Sequence, residues 1–269
     1  TVRTALCLCR TGRPGPVVID LPKDVQTAVE VFRGAGTLAI PGYRARLAEL
    51  TASTLGEAAA GNFLQLLSES KRPLICAGGG VINGSAAPAL AELAHAFGIP
   101  VVTTLMGIGA IDTADPLAMR MLGMHGAAFA NYAVEDCDFL IAVGARFDDR
   151  VAGDPRKFAR HARRIAHLDI DQAEINKVKS AHWSYVGCLP EALRALVAYA
   201  RRRGVQLDYS RWRAELAELK QRHAMGYNHD SALVQPHFVI EQINQRTRGE
   251  AIITTGVGQH QMWAAQMFD

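Results

Sequence analysis

An α/β fold built on a parallel sheet is predicted by three observations. Short apolar β-rich runs recur along the 269 residues, amphipathic helical patterns separate them, and glycine-rich turns follow several of the runs. In chain order the runs are Val17 to Asp20, Leu74 to Ala77, Val101 to Thr104, Phe139 to Val143, Arg164 to Ile170, the brief Tyr185-Val186, and Ala251 to Thr255. Strands alternating with helices in this way are joined by right-handed crossovers. Leu90, Leu93, Ala94 and Phe97 fall at i, i+3, i+4, i+7, as do Leu193, Leu196, Val197 and Ala200, so each set makes one apolar helix face that covers a sheet.

Two stretches interrupt the alternation and read as interdomain connections. Gly34 to Ser53 carries Gly36, Pro41 and Gly42 without sustained periodicity. Gly204 to Ser231 contains one polar-rich helix, Ser210 to His223, with Trp212, Leu216 and Leu219 on one side and a Glu218–Arg222 pair at i, i+4; this helix is expected to ride on a neighbouring surface. At the ends, Thr4 to Leu8 reads as the close of a helix and Gln261 to Phe268 as the opening of one, so a fragment of a longer polypeptide is expected.

Composition narrows the function. Hydrophobic residues make up 49% and charged residues 20%, a globular and soluble profile rather than a disordered one. A net charge of +3 is too small to supply the basic face that nucleic-acid backbones need, and Arg201-Arg202-Arg203 suits a helix C-terminus. Cys7, Cys9, Cys76, Cys137 and Cys188 are odd in number and lack C-x-x-C spacing, which fits a reducing cytoplasm. No apolar run is long enough to cross a bilayer and no secretory signal opens the chain, so no membrane association is expected.

The turns carry the chemistry. Gly78-Gly79-Gly80 ends one run and opens a helix, where bare N–H groups can receive a phosphate or where glycine merely serves a tight turn. A nicotinamide dinucleotide is disfavoured: Gly84 follows at the wrong spacing, and the next run ends Thr103-Thr104-Leu105-Met106 without a carboxylate. Another nucleotide or a flavin remains. In Gly123-Met124-His125-Gly126 the glycines let backbone approach a flat ligand, although a lone histidine such as His125 also has many structural uses. Asp148 and Asp149 resemble a catalytic acid pair, but flanking Arg146 and Arg150 point to ion-paired positioning, and an arginine turned toward the cleft can clamp a carboxylate or phosphate. Asp169 and Asp171 close another strand, as acceptors for ribose or ribityl hydroxyls or as helix caps.

Taken in order, the stretch Gly12 to Val25, the triple glycine, Gly123 to Gly126, Gly144 to Arg150, and Thr255 to Trp263 resemble the acetolactate synthase (acetohydroxyacid synthase) family of thiamine-diphosphate enzymes, over essentially the whole chain. The resemblance implies a Rossmann-like central domain with helices on both faces at residues 61–204. Residues 1–33 become the tail of a pyrimidine-binding domain, 34–60 and 205–232 linkers, and 233–269 the start of a diphosphate-binding domain, both flanks being partial α/β thiamine-binding domains. It implies FAD contacts from Arg13, Gly78, Gly79, Gly80, Met124, His125, Gly126, Gly144, Arg146, Asp148, Asp169 and Ile170. Lys23, Met124, Asp149 and Arg150 are implied on the substrate side, and Val257, Gly258, Gln259 and His260 as the first wall of the thiamine diphosphate pocket. Cys188 stands where the family usually has an aspartate, which removes one acceptor.

The implied reaction decarboxylates pyruvate on thiamine diphosphate and condenses the two-carbon unit with pyruvate or 2-ketobutyrate, in branched-chain amino acid biosynthesis. FAD is expected to be largely architectural. The family's glutamate and its GDG…N magnesium motif fall outside these residues, so neither a catalytic residue nor a metal ligand is expected within the chain, and no turnover is expected from it alone. A homo-oligomer, dimer or tetramer, and a regulatory small subunit are the implied partners. Rival readings are glyoxylate carboligase or pyruvate oxidase, whose fold is shared, and a non-catalytic nucleotide-binding module; the Lys23 and Arg150 contexts weigh against the first pair and the Gln259-His260 turn against the second.

Overall fold

In the computed structural model, which describes residues 1–31, Gly34, Ile40 and 42–269, the chain divides into two compact units, Thr1–Ser53 and Thr54–Asp269. The first unit contains three described helices, α1 (Val2–Leu8), α2 (Lys23–Thr27) and α3 (Tyr43–Ala52). Within it the Thr11 hydroxyl lies 2.7 Å from the Tyr43 hydroxyl. The stretch without periodicity thus holds a helix at 43–52, while Gly36 and Pro41 lie outside the described residues.

The second unit is a six-stranded sheet: β1 (Pro73–Ala77), β2 (Val101–Thr103), β3 (Ala118–Met121), β4 (Phe139–Val143), β5 (Arg164–Asp169) and β6 (Trp183–Val186). Every pairing is parallel and the order is β3-β2-β1-β4-β5-β6. All five residues of β1 and of β4 are buried, as expected of central parallel strands covered on both faces. The helices of this unit are α4 (Glu57–Glu69), α5 (Gly79–Asn83), α6 (Ala87–Phe97), α7 (Ala128–Asp136), α8 (Asp149–Ala152), α9 (Leu189–Arg203), α10 (Ser210–Arg222), α11 (Pro236–Thr247) and α12 (Gln259–Met267). Helices α4, α6 and α9 pack together on one face, and the apolar sets expected for α6 and α9 are all buried. Because the chain reverses direction across the sheet between β3 and β4, right-handed crossover puts α7 on the opposite face.

Helix α10 runs along the amino ends of β1, β2 and β3. Its Trp212 Nε1–H donates to Pro73 O at 3.0 Å, and Arg213 and Lys220 donate to Gly98 O and Ala118 O. Arg72 stacks over the Trp212 ring and pairs with Glu215 at 2.8 Å. The i, i+4 ion pair on this helix is Arg211–Glu215, not the expected Glu218–Arg222, since Glu215 is the residue that already faces the sheet edge. The glycine-rich turns lie at the opposite, carboxyl edge of the sheet.

Two expectations are corrected and one strand is added. Among the described residues, Val17 to Asp20 and Ala251 to Thr255 form no strand and pair with none; Val18 is 91% and Ile252 93% exposed. Conversely, Ala118–Met121 is a strand, although its residues carry no β-branched side chain.

Candidate functional site

The strand order reverses between β1 and β4, and ligands of open parallel sheets bind outside the carboxyl ends at such a switch point. The two turns that flank it, Gly78–Gly80 and Gly144–Asp148, press directly on one another. A Cβ on Gly78 falls 2.1 Å from Gly144 O, and one on Gly80 falls 2.7 Å from Gly144 Cα. Gly78 N–H donates to Val143 O and Gly80 N–H to Gly144 O. The tight-turn role of these glycines is therefore realised, and two of the three amides that could meet a phosphate are engaged by the neighbouring turn. Gly144 has φ +57°, and its own N–H donates to Leu168 O, tying the β4 turn to β5.

The β4 turn carries most of the charge. Phe147, at φ +55°, is buried edge-on against Phe158 and His167 at ring distances of 5.9 and 5.4 Å. With Phe147 turned inward, Arg146 and Asp148 stay half-exposed and pair at 3.5 Å. Asp148 also caps α8, accepting from Val151 N–H at 3.2 Å. Asp149 and Arg150 lie 3.8 Å apart and mostly in solvent. The expected ion-paired positioning is what the geometry displays, and Arg150 keeps its guanidinium accessible.

The turn after β3 is locked to α8 by backbone. Gly123 (φ +102°) has no room for a side chain, since a Cβ falls 2.6 Å from Arg150 O, and Met124 N–H donates to that same oxygen at 3.1 Å. Asn131 closes the turn from α7, exchanging hydrogen bonds with Gly123 N–H and O at 2.8 and 3.0 Å. Met124 and His125, adjacent and exposed, face two different hollows. Met124, Gly123, Asp149 and Arg150 line one of about 300 Å³. His125 lines the other, of about 450 Å³, with Val257, Gly258, Gln259, Trp263 and Gln266. Three of the four residues expected on the substrate side, Met124, Asp149 and Arg150, thus line one hollow, and His125, expected to face a flavin, lines the next with Val257, Gly258 and Gln259. His260 follows on the same turn, near Gly256 and Gly258.

Asp169 ends β5 buried, with Oδ1 accepting from Asp171 N–H at 2.9 Å, and Ile170 beside it is half-buried. Cys188 is the N-cap of α9 without a side-chain cap bond; burial and the adjacent Glu191 raise its thiol pKa. Burial pushes the Cys76 thiol up to about 12 and raises Cys137 as well, which keeps both inert. Arg13 and Lys23 belong to the other compact unit, where both are exposed and Lys23 begins α2. Among the described residues no group of three or more His, Cys, Asp or Glu is placed to hold a metal ion.

Two features escaped the sequence. The 3₁₀ turn Leu105–Gly107 after β2 leans on the triple glycine, with Met106 Cβ 2.9 Å from a Cβ on Gly79 and Ala77 O 2.2 Å from one on Gly107. Gly107 was the available signal. His167 is wholly buried in β5, and burial holds its pKa below the ordinary value against the opposing influence of Asp169, the Ala145 backbone and Glu174. A histidine inside a β-rich run carries no mark of that.

The family model for the central domain of thiamine pyrophosphate enzymes matches residues 61–196. The chain belongs to this family. Its thiamine pyrophosphate enzyme central domain therefore includes all six strands and the turns at their carboxyl ends. The chain is also similar to acetolactate synthase 1, chloroplastic, of Nicotiana tabacum, at 44% identity over 99% of this chain and 39% of the relative. Acetolactate synthase 3, chloroplastic, of Brassica napus is 43% identical over 99% and 40%, and acetolactate synthase, chloroplastic, of Arabidopsis thaliana 41% over 100% and 39%. The chain spans about two-fifths of the length of these curated relatives.

Proposed function

We propose that this chain is the flavin-binding middle of an acetolactate synthase, with FAD lying along the carboxyl edge of the sheet and thiamine diphosphate held, with Mg²⁺, against the Val257–His260 turn. One observation carries the reading: the Met124-His125 turn stands between a hollow lined by Asp149 and Arg150 and a second lined by Val257, Gly258 and Gln259. A free-standing nucleotide-binding module has no use for the second hollow. The 41–44% identity to three plant acetolactate synthases favours that enzyme over glyoxylate carboligase or pyruvate oxidase.

The residues present fit FAD. Arg146 offers a guanidinium to a pyrophosphate, a role that matters because the Gly78 and Gly80 amides are engaged elsewhere. Asp148 and Asp169 offer acceptors to ribityl or ribose hydroxyls. Gly126, whose Cβ would fall 2.4 Å from Met121 O, keeps the β3 turn low, while Met124 above it is 64% exposed and apolar enough to lie on a flat ring. Gly79, Gly144 and Ile170 complete the proposed flavin set within this unit. When bound, thiamine diphosphate supplies the electron sink for decarboxylating a 2-keto acid. Arg150 then orients the second keto acid, its planar fork donating two parallel hydrogen bonds to the carboxylate. Asp149 holds that guanidinium at the hollow's mouth.

Among the described residues no helix is long and apolar enough to cross a membrane, and the five cysteines are free. Free thiols support the cytoplasmic reading; the three relatives are named chloroplastic. The full-length partners are proposed to be 2-keto acids, further copies of the chain and a regulatory small subunit. Titration of the purified chain with FAD and with NAD tests the proposal. Flavin fluorescence quenching and a thermal shift with FAD alone are expected; a shift with NAD, or none with FAD, overturns it.

A further inference from the structure

Strand β3 contains an irregularity that the site does not otherwise use. Val101 pairs with Ala118 and Thr103 with Met121, so two steps along β2 oppose three along β3. The extra residue makes a β-bulge, and Arg120 sits in it at φ +58°. Left-handed positions in bulges suit glycine, and a bulge re-aims the side chain it carries. Here the side chain is spent on α12. Arg120 Nη1 donates to Gln266 O at 3.3 Å and Nη2 to Asp269 Oδ1 at 2.5 Å. Gln266 then reaches back, its Nε2 donating to His125 O at 2.7 Å. Asp269 is held in turn by Asn244 of α11.

We infer that Arg120 and Gln266 are positioning residues, a latch that ties α12 to the bulge and to the Met124–Gly126 turn, so that the Val257–His260 turn and the proposed flavin turn move as one unit. The inference deepens the functional reading and rests on it only for the identity of the ligands. Physically, one end of α12 carries the latch and the other begins at the Gly258 turn that lines the His125 hollow. Ordering of His125 by a ligand is therefore transmitted through Gln266 along a rigid helix of nine residues.

Amide hydrogen exchange of the whole chain tests this, read at 123–127 and 259–267 with β1 and β4 as internal controls. Gln266→Glu replaces only the donating amide by an acceptor, and Arg120→Gly removes the guanidinium while relieving the backbone. Without ligand, each variant is expected to exchange at least ~10-fold faster in both segments, with β1 and β4 unchanged. With FAD, the parent is expected to protect both segments, and the variants 123–127 alone. Parent-like exchange in either variant, or FAD protection of 259–267 that survives both substitutions, overturns the latch. Absence of any FAD effect in the parent overturns the flavin reading instead, and the ligand-free arm still decides the latch.

Discussion

Two kinds of β-rich run met opposite fates in this molecule. Phe139–Val143 lies between β1 and β5, hydrogen-bonded on both sides and buried at every residue. Val17 to Asp20 and Ala251 to Thr255 have similar residues and, among the described residues, no ladder, and leave Val18 and Ile252 almost wholly exposed. The difference teaches that local composition proposes a strand and a neighbour makes it, since an unpaired extended backbone gains neither hydrogen bonds nor burial.

The sharpest way to break that comparison is to truncate one residue in each region. Phe139, 1% exposed and 5.9 Å from the Phe63 ring, should cost about 3–5 kcal/mol as Phe139→Ala, while Ile252→Ala should change stability by less than about 0.5 kcal/mol. Urea unfolding measures both; equal effects would mean the exposed run is structured after all. Next in size is Gly78→Ala, which forces a Cβ into the backbone of the Gly144 turn and should destabilise by about 1–3 kcal/mol. FAD affinity should fall with it, because the β1 and β4 turns share the strain.

A smaller effect is expected at the Asp148 cap. Asp148→Ala removes the acceptor for Val151 N–H and should cost about 1 kcal/mol by thermal unfolding. Arg150→Ala should leave stability within about 0.5 kcal/mol, since the side chain is largely in solvent. In an enzyme of the relatives' full length, the proposed role of Arg150 predicts a KM for the second keto acid raised more than kcat is lowered, and an unchanged KM would remove Arg150 from the proposed substrate side. Last is pH. His167 titrates below its ordinary 6.5 in the folded chain because it is buried, so the unfolded chain binds the proton more readily. Its contribution is full above about pH 6.5 and is lost as pH falls toward the lower folded value. His167→Leu should flatten the stability profile in that window, and a profile parallel to the parent's would show that His167 is not its source.

Much of the fold was legible because the central strands and the α6 and α9 faces are buried on a regular period. Leu90, Leu93, Ala94 and Phe97 point one way at any plausible packing. The edge was harder to read: Ala118–Met121 has a weak β pattern, and its pairing to β2 passes through a bulge. For the site, residue types were readable but their partners were not. Gly78 and Gly80 announced a close approach, yet only the folded chain reveals that the approaching group is Gly144. Arg146 and Asp148 were legible as a pair, being two residues apart on one turn. Arg120, Gln266 and His125 were not, because they lie on three elements far apart in sequence.

By itself the sequence determined the α/β alternation, the parallel core, the glycine turns at the strand ends, and the family those turns resemble, since periodicity and turn chemistry act over a few residues. Tertiary structure decided which extended runs became strands, where the triple-glycine amides were spent, and which side chains the β3 bulge turned toward α12. Those outcomes depend on hydrogen bonds and contacts between distant segments, whose geometry exists only once the sheet has closed on its neighbours.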